Sequence, residues 1–409
     1  MNTSKYLGIA GPAVVLVVVC GAWVTGAPGE QQAAPATAPP AQGAVTFRAE
    51  QIASDFGVGY AVTTGDVNGD GRTDVVAINA TDLVWFEAPT WQKRVIISGL
   101  TPKDNVCLSL NDVDRDGRVD VALGASWQPT NTSSGGTLHW VRQGAPGADW
   151  ELHSIAEEPT LHRIRWADLD GDGNRELVVV PLHGRGTKGP DWQGQGARIL
   201  IFRPPANPSR DPWPMEVADD TLHIVHNFLP VNMDADAGDE LLVASREGVN
   251  LLKRQQVKGE PSWSRTLIGE GAPGEIKLGR VGGRRMLATV EPWHGTSIVV
   301  YAEQPGVWAR TVIESAVTGG HALGWADFDG EGNDELAVGW RDKQPGVAVY
   351  AVDRSGALKT KTVIDDGGMA TEDLVVADLN SDKKPDIIAS GRATRNVKIY
   401  WNETGPAAK

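Results

Sequence analysis

The chain has 409 residues and carries 52 acidic against 38 basic side chains, for a formal net charge of −14. That balance excludes a nucleic-acid partner, because phosphate binding needs a basic face. The length would accommodate two or three ordinary domains, unless the chain is built from repeats.

At the N-terminus, Lys5 is followed by the apolar run Leu7 to Val19 and by the small residues Gly21, Ala22, Gly26 and Ala27. This pattern predicts a secretory signal over residues 1–27, too short for a membrane span. The expected location is therefore secreted or periplasmic, with no membrane span in the mature chain. A lipid anchor at Cys20 fits less well, since Val19 stands where such a signal normally has a small residue. Residues 28–43, rich in Ala, Pro and Gln, read as a disordered linker. With the signal removed only Cys107 remains, so no internal disulfide is expected.

From residue 44 to 405 one acidic pattern recurs. Its first copy is Asp66, Asn68, Asp70 and Asp74, and its second is Asp112, Asp114, Asp116 and Asp120. The third, Asp168, Asp170, Asp172 and Glu176, spells D-x-D-x-D-G-x-x-E and runs into the apolar stretch Leu177 to Val180. Further copies are Asn232, Asp234, Asp236 and Glu240, then Asp327, Asp329, Glu331 and Glu335, then Asp378, Asn380, Asp382 and Asp386. Carboxylates at the first, third, fifth and ninth places converge on one hard cation, which predicts Ca²⁺ as a cofactor. An EF-hand would need Glu at the twelfth place, where the third copy has Val179, so the loop is short and leads into a strand. The interval from Asn232 to Asp327 is about twice the others, and Leu278 to Leu287 fills it as a copy that has lost its acids. Seven units result, six of them suited to a metal.

Each unit holds four short apolar runs separated by turn residues, which predicts an all-β, seven-bladed propeller of four-stranded antiparallel blades. In the third unit the strands are Arg163 to Ala167, Leu177 to Pro181, Ala197 to Phe202, and one starting near Trp213. The outer strand pairs an aromatic residue with an aliphatic one five places later: Trp91 with Ile96, Trp150 with Ile155, Trp263 with Ile268, Trp308 with Ile313. Their regular recurrence reads as packing between blades. Phe47 and Ile52 repeat this signature ahead of the first loop, while the last unit lacks an outer strand. The segment 45–53 is therefore expected to complete the last blade and close the ring, leaving no free sheet edge. The expected state is a monomer.

Six residues before the first acid of each loop stand Tyr60, Val106, His162, His226, Gly274, His321 and Glu372. Three of the eight histidines thus share one register at the start of the innermost strand, at the end opposite the acidic loops. Equivalent positions in a propeller meet around its axis, so His162, His226, His321 and Glu372 predict a site for Zn²⁺ or another divalent transition metal. The second strand of each blade returns to this face, where it brings His183, Arg246, His294, Arg341 and Arg392. The long connections Trp127 to Gly136 and His183 to Gly196 emerge there too and are expected to roof the site.

The acidic loops resemble the FG-GAP or VCBS repeat family of Ca²⁺-bearing propellers, over residues 45–402. The surroundings of the histidines, Leu161-His162-Arg163, Pro181-Leu182-His183-Gly184-Arg185-Gly186, Val225-His226-Asn227 and Gly320-His321-Ala322, are similar to the propeller part of aldos-2-ulose dehydratases. That resemblance implies a lyase acting on keto-sugars, with His162, His226, His321 and Glu372 holding the metal. His183 and His294 would then serve as base and acid, while Arg246 and Arg341 orient the sugar. The other reading open at this point is a non-catalytic propeller that binds glycan or protein through the same face.

Overall fold

The computed structural model describes residues 45–405. The expected signal and linker, including Cys20, lie outside the described residues. No helix among the described residues is long and apolar enough to cross a membrane.

Twenty-eight strands form seven four-stranded antiparallel sheets. Blades 1 to 6 are each built from four consecutive strands, beginning with Ala61–Gly65, Cys107–Asn111, Leu161–Ala167, Asn227–Val231, Glu275–Val281 and Gly320–Ala326. Blade 7 takes its three inner strands, Thr371–Ala377, Asp386–Gly391 and Val397–Asn402, from the end of the chain and its outer strand, Phe47–Ala53, from the beginning. Phe47 pairs with Asn402 and Arg48 with Trp401, in the antiparallel closure the sequence predicts. Each innermost strand packs on that of the next blade, and the seventh returns to the first.

The second strand of every blade is buried along most of its length, as Val75 to Ile78 and Leu177 to Val180 illustrate. Seven separate apolar clusters fill the seven spaces between neighbouring blades. The recurring tryptophans belong to them: Trp91, Trp150, Trp213, Trp263 and Trp308 each pack against such a cluster. They are packing residues, as their spacing suggests, and each side chain removed from water contributes to stability by the apolar area it hides. The acid-free fifth copy is reduced to a tight turn at Gly282 and Gly283, both left-handed, between Glu275–Val281 and Arg284–Glu291.

Candidate functional site

Five of the six acidic loops share one internal scaffold. The carboxylate at the first place accepts the amide of the sixth residue: Gly71 to Asp66 at 2.8 Å, Gly117 to Asp112 at 2.9 Å, Gly173 to Asp168 at 2.9 Å, Gly332 to Asp327 at 2.9 Å and Lys383 to Asp378 at 2.8 Å. All five sixth residues have positive φ, which favours glycine and explains the repeated Asp-Gly or Glu-Gly pair. In all six loops the ninth-place acid accepts the amide of the second residue, as Val67 donates to Asp74 and Leu169 to Glu176 at 3.0 Å. Where that acid is an aspartate, its other oxygen also takes a backbone amide: Ala88 on Asp74, Gln143 on Asp120, Asn402 on Asp386. These three carboxylates therefore tie the loop to its blade. Burial, reinforced by Asp329, pushes the Glu335 carboxyl up to about 8. Burial likewise raises Asp120 and Asp386 to about 6.

The fourth loop is built differently. Ala237 stands at its sixth place, and the Lys253 ammonium lies among Asp234, Asp236 and Glu240, 3.2 Å from a Glu240 oxygen. A fixed cation thus sits where the sequence reading places an ion.

At the other end of the strands, three of the register residues occupy β-bulges. His162, His321 and Glu372 are each the extra residue of the innermost strand, skipped between the paired neighbours Leu161 and Arg163, Gly320 and Ala322, Thr371 and Asp373. A bulge re-aims a side chain out of the alternation of its strand, here towards the axis. His226 directly precedes its strand, with its amide on the Ala244 carbonyl at 3.2 Å. The rings are then locked by one repeated contact, in which Nδ1 donates to the backbone carbonyl at the same register in the next blade. His162 uses the carbonyl of His226 at 2.9 Å, His226 that of Gly274, and His321 that of Glu372. A carbonyl only accepts, so Nδ1 carries the proton and each Nε2 keeps its lone pair, the tautomer a metal ligand needs.

The set that gathers shares His226 and His321 with the expected one, gains His294, and leaves His162 and Glu372 beside it. One ring nitrogen from each of His226, His294 and His321 lies within 4.8 Å of the others. His294, expected as an acid or base, joins the ring, with Nε2 2.7 Å from His226 Nε2 and Nδ1 facing Arg341 Nη2 at 3.2 Å. His162 packs against His226 with the rings tilted by 51° and their centroids 4.6 Å apart, but its Nε2 accepts from Arg163 Nη1 at 3.0 Å. Glu372 comes within 3.9 Å of His321 Nε2, yet it is engaged by Arg341 on one oxygen and by Arg392, at 2.9 Å, on the other. The donor chemistry fits a divalent transition ion: neutral imidazoles, of which His226 and His321 are oriented by carbonyls on Nδ1, closed on one side by the arginine-bound carboxylate.

All these residues line a cavity of about 260 Å³, with Tyr60, Val106, Trp127, His183, Trp192 and Trp293 in its wall. The predicted roof is present. Thr132 Oγ1 donates to the Thr187 carbonyl at 2.8 Å, and the Gly186 amide donates to the Thr132 carbonyl at 3.1 Å, tying the two long loops together. Trp192 from the second loop lies flat on His183, centroids 3.7 Å apart, and Trp127 from the first packs on His162 at 4.7 Å. The neck of the second loop is so narrow that a Cβ on Gly184 would meet the Gln195 carbonyl oxygen at 1.7 Å. Arg246 is the expected site residue that the structure places elsewhere: it does not line the cavity, and its guanidinium donates to the Asp191 carbonyl, bracing the roof.

Burial pulls His183 down to about 4, and burial together with Arg341 pulls His294 down to about 3. His162, His226 and His321 are held well below the ordinary imidazole range, first by burial and then by Arg163, His294 and Arg341 respectively. Every imidazole here is neutral at neutral pH. Sequence reasoning missed Arg163 and Trp293; their adjacency to His162 and His294 was the only available sign.

The chain matches the family model of the aldos-2-ulose dehydratase β-propeller domain over residues 135–304, a span that includes His162, His183, His226 and His294. FG-GAP-like and FG-GAP repeat models match residues 78–179 and 58–85. An aldos-2-ulose dehydratase from Phanerodontia chrysosporium is 24% identical over 366 residues, covering 78% of this chain and 39% of that relative's length. The spans of the FG-GAP-like and FG-GAP models contain the first three acidic loops.

Proposed function

We propose that this protein is a calcium-stabilised propeller whose histidine cavity works as a metal-dependent carbon–oxygen lyase on keto-sugars. The observation that carries the reading is the convergence of imidazoles whose Nδ1 protons are fixed by carbonyls of the neighbouring blades, leaving Nε2 lone pairs around one cavity. His226, His294 and His321 would hold a divalent ion, which polarises a carbonyl oxygen when bound. The similarity to a dehydratase supports the same chemistry.

The residues then divide the work of removing water. His183 is neutral, lines the cavity, and has a ring nitrogen, Nδ1, without a hydrogen-bond partner among the described residues, so it is the imidazole left to act as base. It takes the proton from the carbon next to the carbonyl, and the electrons of that C–H bond become the new C=C bond. The C–O bond at the next carbon breaks, and the imidazolium of His183 returns its proton to the departing oxygen, so one water leaves and the enzyme is regenerated. Neutral His294 is not an acid in this arrangement. Arg341 and Arg392 donate to substrate oxygens, and Trp192 holds His183 in place.

The test is elemental analysis of the purified protein together with the ultraviolet absorbance of an enone formed from a 2-keto-sugar. His226→Ala is expected to lose the ring metal and the turnover while keeping Ca²⁺-dependent stability, since the acidic loops lie at the far ends of the strands. A wild-type protein that takes up no transition metal and forms no enone overturns the reading in favour of a non-catalytic, glycan-binding propeller.

A further inference from the structure

The charge of the cavity conflicts with a neutral sugar as its occupant. Its lining holds three guanidinium groups, Arg163, Arg341 and Arg392, against one carboxylate, Glu372. Glu372 is shared by Arg341 and Arg392, so a single negative charge serves two arginines. Arg163 forms no ion pair among the described residues; its Nη1 is spent on a ring nitrogen and a carbonyl of His162, both at 3.0 Å. The channel beneath, which Arg163 also lines, does not supply the missing charge. There Arg165, Arg175 and Lys277 stand against Asp239, Asp373 and Glu275, which pairs with Lys277 at 2.8 Å, so the channel's other charges cancel. The excess is local, in a protein whose net charge is −14.

Hydrogen-bonding capacity points the same way. Arginine has five N–H donors and no acceptor. The indole Nε1 of Trp293, another donor without an acceptor, is buried with no partner among the described residues. The only carboxylate in the wall is already occupied. With the imidazole lone pairs reserved for a metal ion and for the base, a cavity carrying surplus positive charge on its guanidinium donors selects a ligand rich in acceptors and negative charge, and planar guanidinium groups match an oxyanion better than they match a hydroxyl. A divalent ion on the imidazoles would enlarge the surplus.

Resting on the lyase reading for the sugar itself, we propose that the ligand of this cavity is an acidic keto-sugar of monosaccharide size, whose carboxylate or phosphate is bound by Arg392 at the mouth and drawn in by the charge of Arg163 below. Arg392 reaches the cavity with its side chain 45% exposed, so it stands where a charged end would enter. Arg163 lies at the floor, beside His162.

The test is calorimetric titration of metal-loaded protein with 2-keto-D-gluconate, D-fructose 6-phosphate and D-fructose, with enone formation followed in parallel. At least one acidic probe is expected to bind about tenfold more tightly than D-fructose, and the advantage should fall severalfold in Arg392→Gln and in Arg163→Gln. Arg392→Gln alters a half-exposed residue, so it yields folded protein even if Arg163→Gln does not. Which acidic probe binds distinguishes carboxylate from phosphate. Equal binding of D-fructose, no binding of either acid, or an advantage that survives in Arg392→Gln and in folded Arg163→Gln overturns the proposal. Turnover of D-fructose without acid preference would remove this inference and leave the lyase reading. Acid preference without turnover of any probe would do the reverse.

Discussion

Replacing Glu372 by glutamine keeps its shape and removes the only negative charge in the cavity wall. Glu372 is 5% exposed, and its two partners differ: the Arg341 side chain is 14% exposed and that of Arg392 45%. The Arg392 pair is open to water and contributes about 0–1 kcal/mol. The Arg341 pair is shielded, and breaking such a pair from one side costs about 3–5 kcal/mol, because the surviving charge is left without compensation. Arg341 retains an acceptor in His294 Nδ1 at 3.2 Å, which places the loss near the lower end, about 3 kcal/mol. An unfolding entropy of about 2.1 cal/mol/K per residue gives the propeller roughly 0.8 kcal/mol/K, so the melting temperature should fall by about 4 °C. Circular dichroism melts of Glu372→Gln and Arg392→Gln measure both contributions, and the second variant should lose about 1 °C or less. Equal small shifts in the two would refute the claim that the Arg341 pair is desolvated.

Two further outcomes concern the acidic loops. Lys253→Met should free the fourth loop, raising the Ca²⁺ stoichiometry found by elemental analysis by one; an unchanged stoichiometry would mean that the ammonium is not what keeps an ion out. In chelator, the folded-state values of Asp120 and Asp386 at about 6, and of Glu335 at about 8, exceed those of the unfolded chain. The folded state then binds more protons than the unfolded one, so its stability falls as pH rises through this range. The melting-temperature drop on chelation should accordingly be larger at pH 8 than at pH 6, and a drop that shrinks with rising pH would contradict the assignment.

The repeats, the closure by Phe47–Ala53 and the shared register of His162, His226 and His321 were legible in the sequence, because each is a periodic feature and a propeller turns period into position. What periodicity cannot express was missed. The bulges at His162, His321 and Glu372 add one residue to a ladder without changing the count between motifs, so the sequence gives the register and hides the aim of the side chain. His294 lies in the acid-free unit, where no loop marks the start of counting, and its approach to His226 depends on how the fifth blade ends its second strand. Arg246 shares its spacing with Arg341 but turns away, because the roof loop offers it the Asp191 carbonyl. Lys253 comes from a third strand, and nothing in the acidic pattern of the fourth loop announces it.

The composite seventh blade also sets the order in which the molecule can be completed. Phe47–Ala53 is made well before its hydrogen-bonding partner, Val397–Asn402, since six whole blades lie between them in the chain. Until then the first strand has no sheet to join, and the inner strand of blade 1 has no seventh blade to pack on. Blades 1 to 6, each formed from neighbouring strands, can assemble during synthesis, whereas the ring itself closes only by a contact between the two most distant parts of the fold, the slow kind of step in folding. The cavity is completed at the same moment, since Glu372 and Arg392 belong to the blade that closes the circle.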